Sequence, residues 1–113
     1  MIKKISKSEV KPIESSCGLL RELYKSKDLS ISHNIVSEKP RKHLHKKMEE
    51  IYYIEKGRGK AEIDGELIDV KKGDIVLIPK NTWHCLKKIG REPLEVLVIN
   101  SPKYNPIDVI LEE

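Results

Sequence analysis

A chain of 113 residues has room for one domain with a single core, and none for an added helix-turn-helix or second lobe. Its 35% charged residues and net charge of +4 give a basic surface with both signs interspersed, which is no reason in itself to expect nucleic acid. The opening MIKKISKSEV lacks the apolar centre of a secretory signal, and no apolar run approaches the roughly eighteen residues of a membrane span, so a cytoplasmic protein away from membranes is expected.

Residues 1–28 read as an N-terminal arm with edge strands. Pro12 interrupts the polar start, and Gly18 to Tyr24 (GLLRELY) matches neither the helical nor the strand period decisively. Cys17 and Cys85 stand alone, without a CxxC pair, and are expected to be reduced and partly buried. Leu29 to Val36 alternates as a strand, with Leu29, Ile31, His33 and Ile35 on the face predicted to be apolar; His33 there is a core or pocket-wall histidine.

The stretch His43 to Gly57, HLHKKMEEIYYIEKG, is the most informative. In extended backbone His43 and His45 point the same way, and Glu50 heads a β-branched and aromatic run that reads as a strand. Parity sets Glu50, Tyr52 and Ile54 on one face and Glu49, Ile51 and Tyr53 on the other, so only one of the two carboxylates can join the histidines. Further along, Asp64-Gly65 is a two-residue hairpin signature between two short strands. Gly73 to His84, GDIVLIPKNTWH, runs from a turn through four apolar residues to a strand-stopping proline, a turn at Asn81 and a histidine. If His84 points into the same space, Cys85 points away.

These residues resemble the two sequence motifs of the cupins. His43, His45, Glu50 and Gly57 fit the body of the first, H-x-H-x4-E-x6-G, and Gly73, Pro79 and His84 fit the second, with fifteen residues between Gly57 and Gly73. Three positions depart from the pattern: Ser37 and Asn81 stand where the motifs have glycine, and Lys88 where the second has asparagine. None is a proposed ligand, and asparagine tolerates a left-handed turn better than most residues. The resemblance implies an all-β jelly-roll barrel with its core over residues 29–100, followed by a segment 101–113 that packs on the barrel or on a partner. It also implies one divalent transition metal (Mn, Fe, Zn, Ni or Cu) held by His43, His45, Glu50 and His84.

Three imidazoles and one carboxylate suit such an ion and leave positions open for water or substrate. Lys39, Arg41, Lys42, Lys46 and Lys47 around the two histidines read ordinarily as a solvated loop and functionally as a positive rim that draws an anionic small molecule, while the absence of interleaved aromatics argues against nucleic acid. Tyr52, Trp83 and His33 are candidates for the substrate pocket, Trp83 serving equally well as a packing anchor. No catalytic acid or base is identifiable by spacing. The expected function is a metal-dependent enzyme, an isomerase, dioxygenase or decarboxylase, acting on a carboxylate or sugar phosphate; the alternative is a non-catalytic ligand-binding module with a structural or anchoring metal. Strands apolar on both faces (Ile51 to Ile54, Ile75 to Ile78, Leu94 to Ile99) require cover on their outer side, which predicts a homodimer.

Overall fold

The computed structural model describes residues 3–15 and 18–113, so the expectation for Cys17 lies outside the described residues. Apart from two single 3-10 turns, all regular structure among them is β. Strands are numbered in chain order. The larger sheet runs β1 (Ile13–Ser15), β2 (Gly18–Lys25), β3 (Ser30–Val36), β10 (Glu95–Ser101), β5 (Glu49–Lys56), β8 (Ile75–Ile78). The smaller runs β11 (Ile110–Leu111), β4 (His43–Leu44), β9 (His84–Ile89), β6 (Arg58–Ile63), β7 (Glu66–Lys71). All pairings are antiparallel, giving the jelly-roll barrel that the motifs imply.

Turn chemistry fixes the registers. Asp64 (φ 48°) and Gly65 (φ 83°) are both left-handed, as a two-residue turn matched to strand twist requires, and they align Ile63 with Glu66. Gly57 joins β5 to β6 at φ 85°, where a Cβ atom would lie 2.3 Å from the Pro93 carbonyl oxygen, so no larger residue fits. Asn81, in place of the motif glycine, takes φ 59°.

Inward positions change character along the strands. On β5 they run Glu50, Tyr52, Ile54 and on the paired β10 Asn100, Val98, Val96. The apolar end continues into Leu94, Val70, Ala61 and Val76, with Ile54 and Leu94 fully buried. Each such aliphatic contributes about 1.5–3 kcal/mol by leaving water, so this end closes the barrel while the polar end stays open.

On β3 the faces are the reverse of the expectation. Ser32, Asn34 and Val36 line the interior, opposite Val98 and Val96, whereas Ile31, His33 and Ile35 point outward. A strand that walls a cavity carries its polar residues inside, so apolarity alone misplaces its inner face. His33 is nonetheless 1% exposed, because Arg21 and Glu95 cover it. Charged residues such as Glu49 and Glu55 flank two apolar cross-strand rows on the outer face of the larger sheet, Leu77, Ile51, Ile99 and Ile31 in one and Ile75, Tyr53 and Leu97 in the next. Within one chain Ile75 and Leu77 are 63% and 66% exposed.

Candidate metal centre

Strand pairing brings together residues far apart in sequence. His43 on β4 is the register partner of His84 on β9, and their rings lie 4.3 Å apart between centroids. Glu50 stands on the inner face of β5, and His45 follows β4. The Asn81 N–H donates to the His45 carbonyl at 2.7 Å, tying the turn before His84 to the first pair of histidines. All four residues are buried, and each offers a ligand atom within 4.8 Å of the others. Glu49 is exposed on the opposite face, as parity requires.

The hydrogen bonds behind the rings decide their chemistry. The Nδ1 atoms of His43, His45 and His84 each lie 2.8 Å from a backbone carbonyl, those of Arg41, Asp108 and Thr82 respectively. A carbonyl can only accept, so each Nδ1 carries a proton, and in the neutral ring Nε2 is left with a lone pair. Yet the Nε2 atoms of His45 and His84 lie 2.8 and 3.0 Å from Oε1 of Glu50. A lone pair facing a carboxylate oxygen is repulsive unless a positive charge stands between them, either a proton on each ring or a metal cation. The donor set therefore fits a divalent ion, with His43, His45, His84 and Glu50 as its holders.

Burial alone would raise the Glu50 carboxyl, but hydrogen bonds from His45 and His84 and their charge hold it well below the usual carboxylate range. Burial also disfavours a charged His45, yet the bond to Glu50 and its charge leave that ring raised overall. His43 is lowered, by burial first and then by the neighbouring charge of His84. A metal requires the ionised carboxylate and all three rings neutral, so an ion here would displace the proton that Glu50 favours on His45.

Asp108 supports the centre from the C-terminal segment, and no motif pointed to it. Its carboxylate accepts from the N–H groups of Lys46, Lys47 and Met48 at 2.9, 2.9 and 3.1 Å, while its carbonyl accepts from His45. One residue thus shapes the bend after β4 and orients a ring. Sixty-three positions separate it from His45, and a lone aspartate before a strand carries no signal of that task.

An open cavity adjoins the centre, bordered by His43, His45, Glu50, Tyr52, Asn100 and Arg41 among others. Tyr52 is where the sequence placed it, its ring edge-on to His84 at 6.3 Å. His33 and Trp83 do not border this cavity. His33 sits on the outer face for the reason given above. Trp83 is held to the β6–β7 turn, its N–H donating to Asp64 Oδ1 and its carbonyl accepting from the Asp64 N–H. Cys85 is buried on the side of β9 away from the centre, where burial pushes its thiol up.

Known proteins share both sequence and fold with this chain. The Methanocaldococcus jannaschii protein MJ1618 is 39% identical, the match covering 97% of each chain. The crystal structure of a protein from Planctomyces limnophilus superposes with a TM-score of 0.87 at 22% identity, over 97% of this chain and 96% of that one. Pac13 of Streptomyces, described as a nucleoside dehydratase, gives 0.84 at 15% identity, over 100% of this chain and 92% of its own. The family model for the cupin domain matches residues 35–100, a span that holds the three histidines and the glutamate of the centre, and the chain belongs to the cupin family.

Proposed function

We propose that this cupin is a metal-dependent enzyme acting on an anionic small molecule that enters the cavity beside His43, His45 and Glu50. One observation supports the reading above others: three imidazoles have their Nδ1 protons engaged elsewhere, His45 and His84 turn Nε2 toward one ionised carboxylate, and His43 offers a ligand atom within 4.8 Å of theirs at a cavity wall. Held there, a divalent transition ion (Mn, Fe, Zn, Ni or Cu) supplies Lewis acidity toward a ligand oxygen, or an oxygen site if it is redox-active. The protein's own part is positional. Glu50 offsets the ion's charge, the backbone carbonyls of Arg41, Asp108 and Thr82 fix the ring orientations, and the apolar walls from Val96, Val98 and Leu86 limit water. That a barrel of this shape carries catalysis in Pac13 supports the enzymatic reading for the fold.

Metal analysis and titration of tag-free protein test the reading. One equivalent of bound first-row metal is expected, lost in His84→Ala with the barrel still folded. No metal binding by the native protein would overturn it. Chelation also separates enzyme from binding module: an enzyme loses turnover with a modest shift in Tm, while a structural ion takes most of the thermal stability with it.

A second copy of the chain is the occupant we propose for the outer face of the larger sheet. The rows Leu77–Ile51–Ile99–Ile31 and Ile75–Tyr53–Leu97 are free of charge, so two copies each of net charge +4 can meet there without opposing like charges. Sedimentation of the native protein as a dimer is expected, and a monomer at micromolar concentration would refute it.

A further inference from the structure

The cavity wall carries one polar group that the fold leaves unsatisfied. Asn100 stands on the inner face of β10, directly across from Glu50 on β5 and Ser30 on β3. Its side chain is 2% exposed and borders the cavity, and its amide nitrogen has no hydrogen-bond partner among the described residues. Buried donors nearly always find acceptors, because leaving one unpaired forfeits its hydration without return. Cross-strand neighbours lie about 4.5–5.5 Å apart at Cβ, so this amide stands next to the carboxylate of the metal centre.

At the mouth of the same cavity the exposed Arg41 guanidinium makes no ion pair among the described residues, although acidic side chains pair with Lys42 close by. Between these two groups the lining is mostly aliphatic, from Leu20, Val36, Leu86, Val96, Val98 and Val109, with Ser32, Asn34 and Tyr52 interspersed. The cavity thus offers a donor at depth, a cation at the rim and mostly apolar walls between. Among the described residues it contains no acidic side chain other than Glu50, which His45 and His84 already engage.

We propose that Asn100 and Arg41 are specificity residues for a small oxo acid. The ligand's inner carbonyl oxygen accepts the Asn100 amide N–H beside the metal centre, its carboxylate pairs with Arg41, and a short aliphatic span lies along the walls. The proposal rests on the reading of His43, His45, Glu50 and His84 as a metal centre, and it names the class of molecule that the centre serves.

The test uses cobalt(II)-loaded protein, whose visible absorption reports both metal occupancy and arrival of a ligand. The probes are 4-oxopentanoate, 5-oxohexanoate and 6-oxoheptanoate, with hexanoate lacking the ketone and 2-hexanone lacking the carboxylate. At least one oxo acid is expected to bind tighter than both controls. Asn100→Leu should weaken it about 10- to 100-fold and erase its preference over hexanoate, the size expected when one buried hydrogen bond is lost. Arg41→Met should weaken it about 3- to 10-fold, less so in high salt, and erase the preference over 2-hexanone.

Because the donor is unpaired in the folded chain, Asn100→Leu and Asn100→Ala should melt no lower than wild type when metal and ligand are absent. A lowered Tm in both would mean that the amide has a structural partner, and would overturn the proposal. So would cobalt-loaded wild type that binds no oxo acid at millimolar concentration, or variants that keep both preferences. Failure of cobalt to bind would instead bring down the metal reading, and this inference with it.

Discussion

Two histidines in this barrel look alike by the usual measures and differ in what they can do. His33 and His45 are 1% and 3% exposed, and each has Nε2 at 2.8 Å from a glutamate oxygen, Glu95 and Glu50 respectively. The difference lies at the other nitrogen. The Nδ1 of His33 faces a guanidinium nitrogen of Arg21 at 3.4 Å, which can only donate, so Nδ1 accepts and the Nε2 proton goes to Glu95: a neutral ring is satisfied on both sides. The Nδ1 of His45 faces a carbonyl, which can only accept, so a neutral ring turns a bare lone pair on Glu50. The first arrangement is complete as it stands and ties Lys7, Arg21 and Glu95 across the outer face. The second calls for a cation. Burial and a carboxylate neighbour therefore do not mark a metal ligand, whereas the polarity of the group behind the ring does.

The comparison breaks most sharply on metal affinity. Removing a holder, as in Glu50→Ala or His84→Ala, should reduce affinity beyond the ~100-fold limit typical of supporting residues, and His33→Gln should leave it unchanged, as isothermal titration with zinc or manganese would report. A loss in His33→Gln equal to that in Glu50→Ala would erase the distinction.

Asp108→Ala comes next, with affinity down about 10- to 100-fold because His45 loses its fixed bend, and stability down by about 2–3 kcal/mol as the N–H groups of Lys46, Lys47 and Met48 lose a charged acceptor. Denaturant melts of the metal-free protein isolate the second effect. Undiminished affinity alongside reduced stability would make Asp108 a structural residue only.

The pH dependence follows in size. In the metal-free protein Glu50 is lowered, so its contribution to stability is present above the ordinary carboxylate range and is lost as pH falls through the lowered value. His45 is raised, so its contribution is full below the ordinary histidine value of about 6.5 and is lost as pH rises through the raised one. His43 is lowered and acts in the opposite sense, its contribution fading as pH falls below the histidine range. Metal needs the deprotonated rings, so the gain in Tm on adding metal should grow from pH 6 to about pH 8. A gain that is flat with pH would mean that the imidazoles are not the ligands.

His33→Leu should cost about 1–3 kcal/mol, because Glu95 loses its buried donor while the exposed end of the network keeps Lys7 and Lys56. The smallest effect is on the stability of a single chain: Leu77→Lys on the exposed outer face should change it by less than about 0.5 kcal/mol while converting a dimer to monomer in sedimentation.

The jelly-roll class, the hairpin at Asp64-Gly65, the inward face of β5 and the four converging residues were all readable in the chain, because each depends on local rules: period-two alternation, turn residues that accept positive φ, and motif spacing. The inner face of β3 was not, since Ser32 and Asn34 face a cavity that no local pattern announces. Trp83 adjoins His84 in sequence yet docks on another turn, and His33 took its place from partners at positions 21 and 95.

The sequence by itself determined which atoms could grip an ion, because ligand chemistry belongs to residue type and short spacing sets which face a side chain takes. Tertiary structure alone decided which of the four histidines have their Nδ1 proton claimed by a carbonyl, that Asp108 braces His45, and that Asn100 and Arg41 face one cavity. Those are relations between strands brought side by side from distant parts of the chain, and a hydrogen bond is set by where its two ends meet in space.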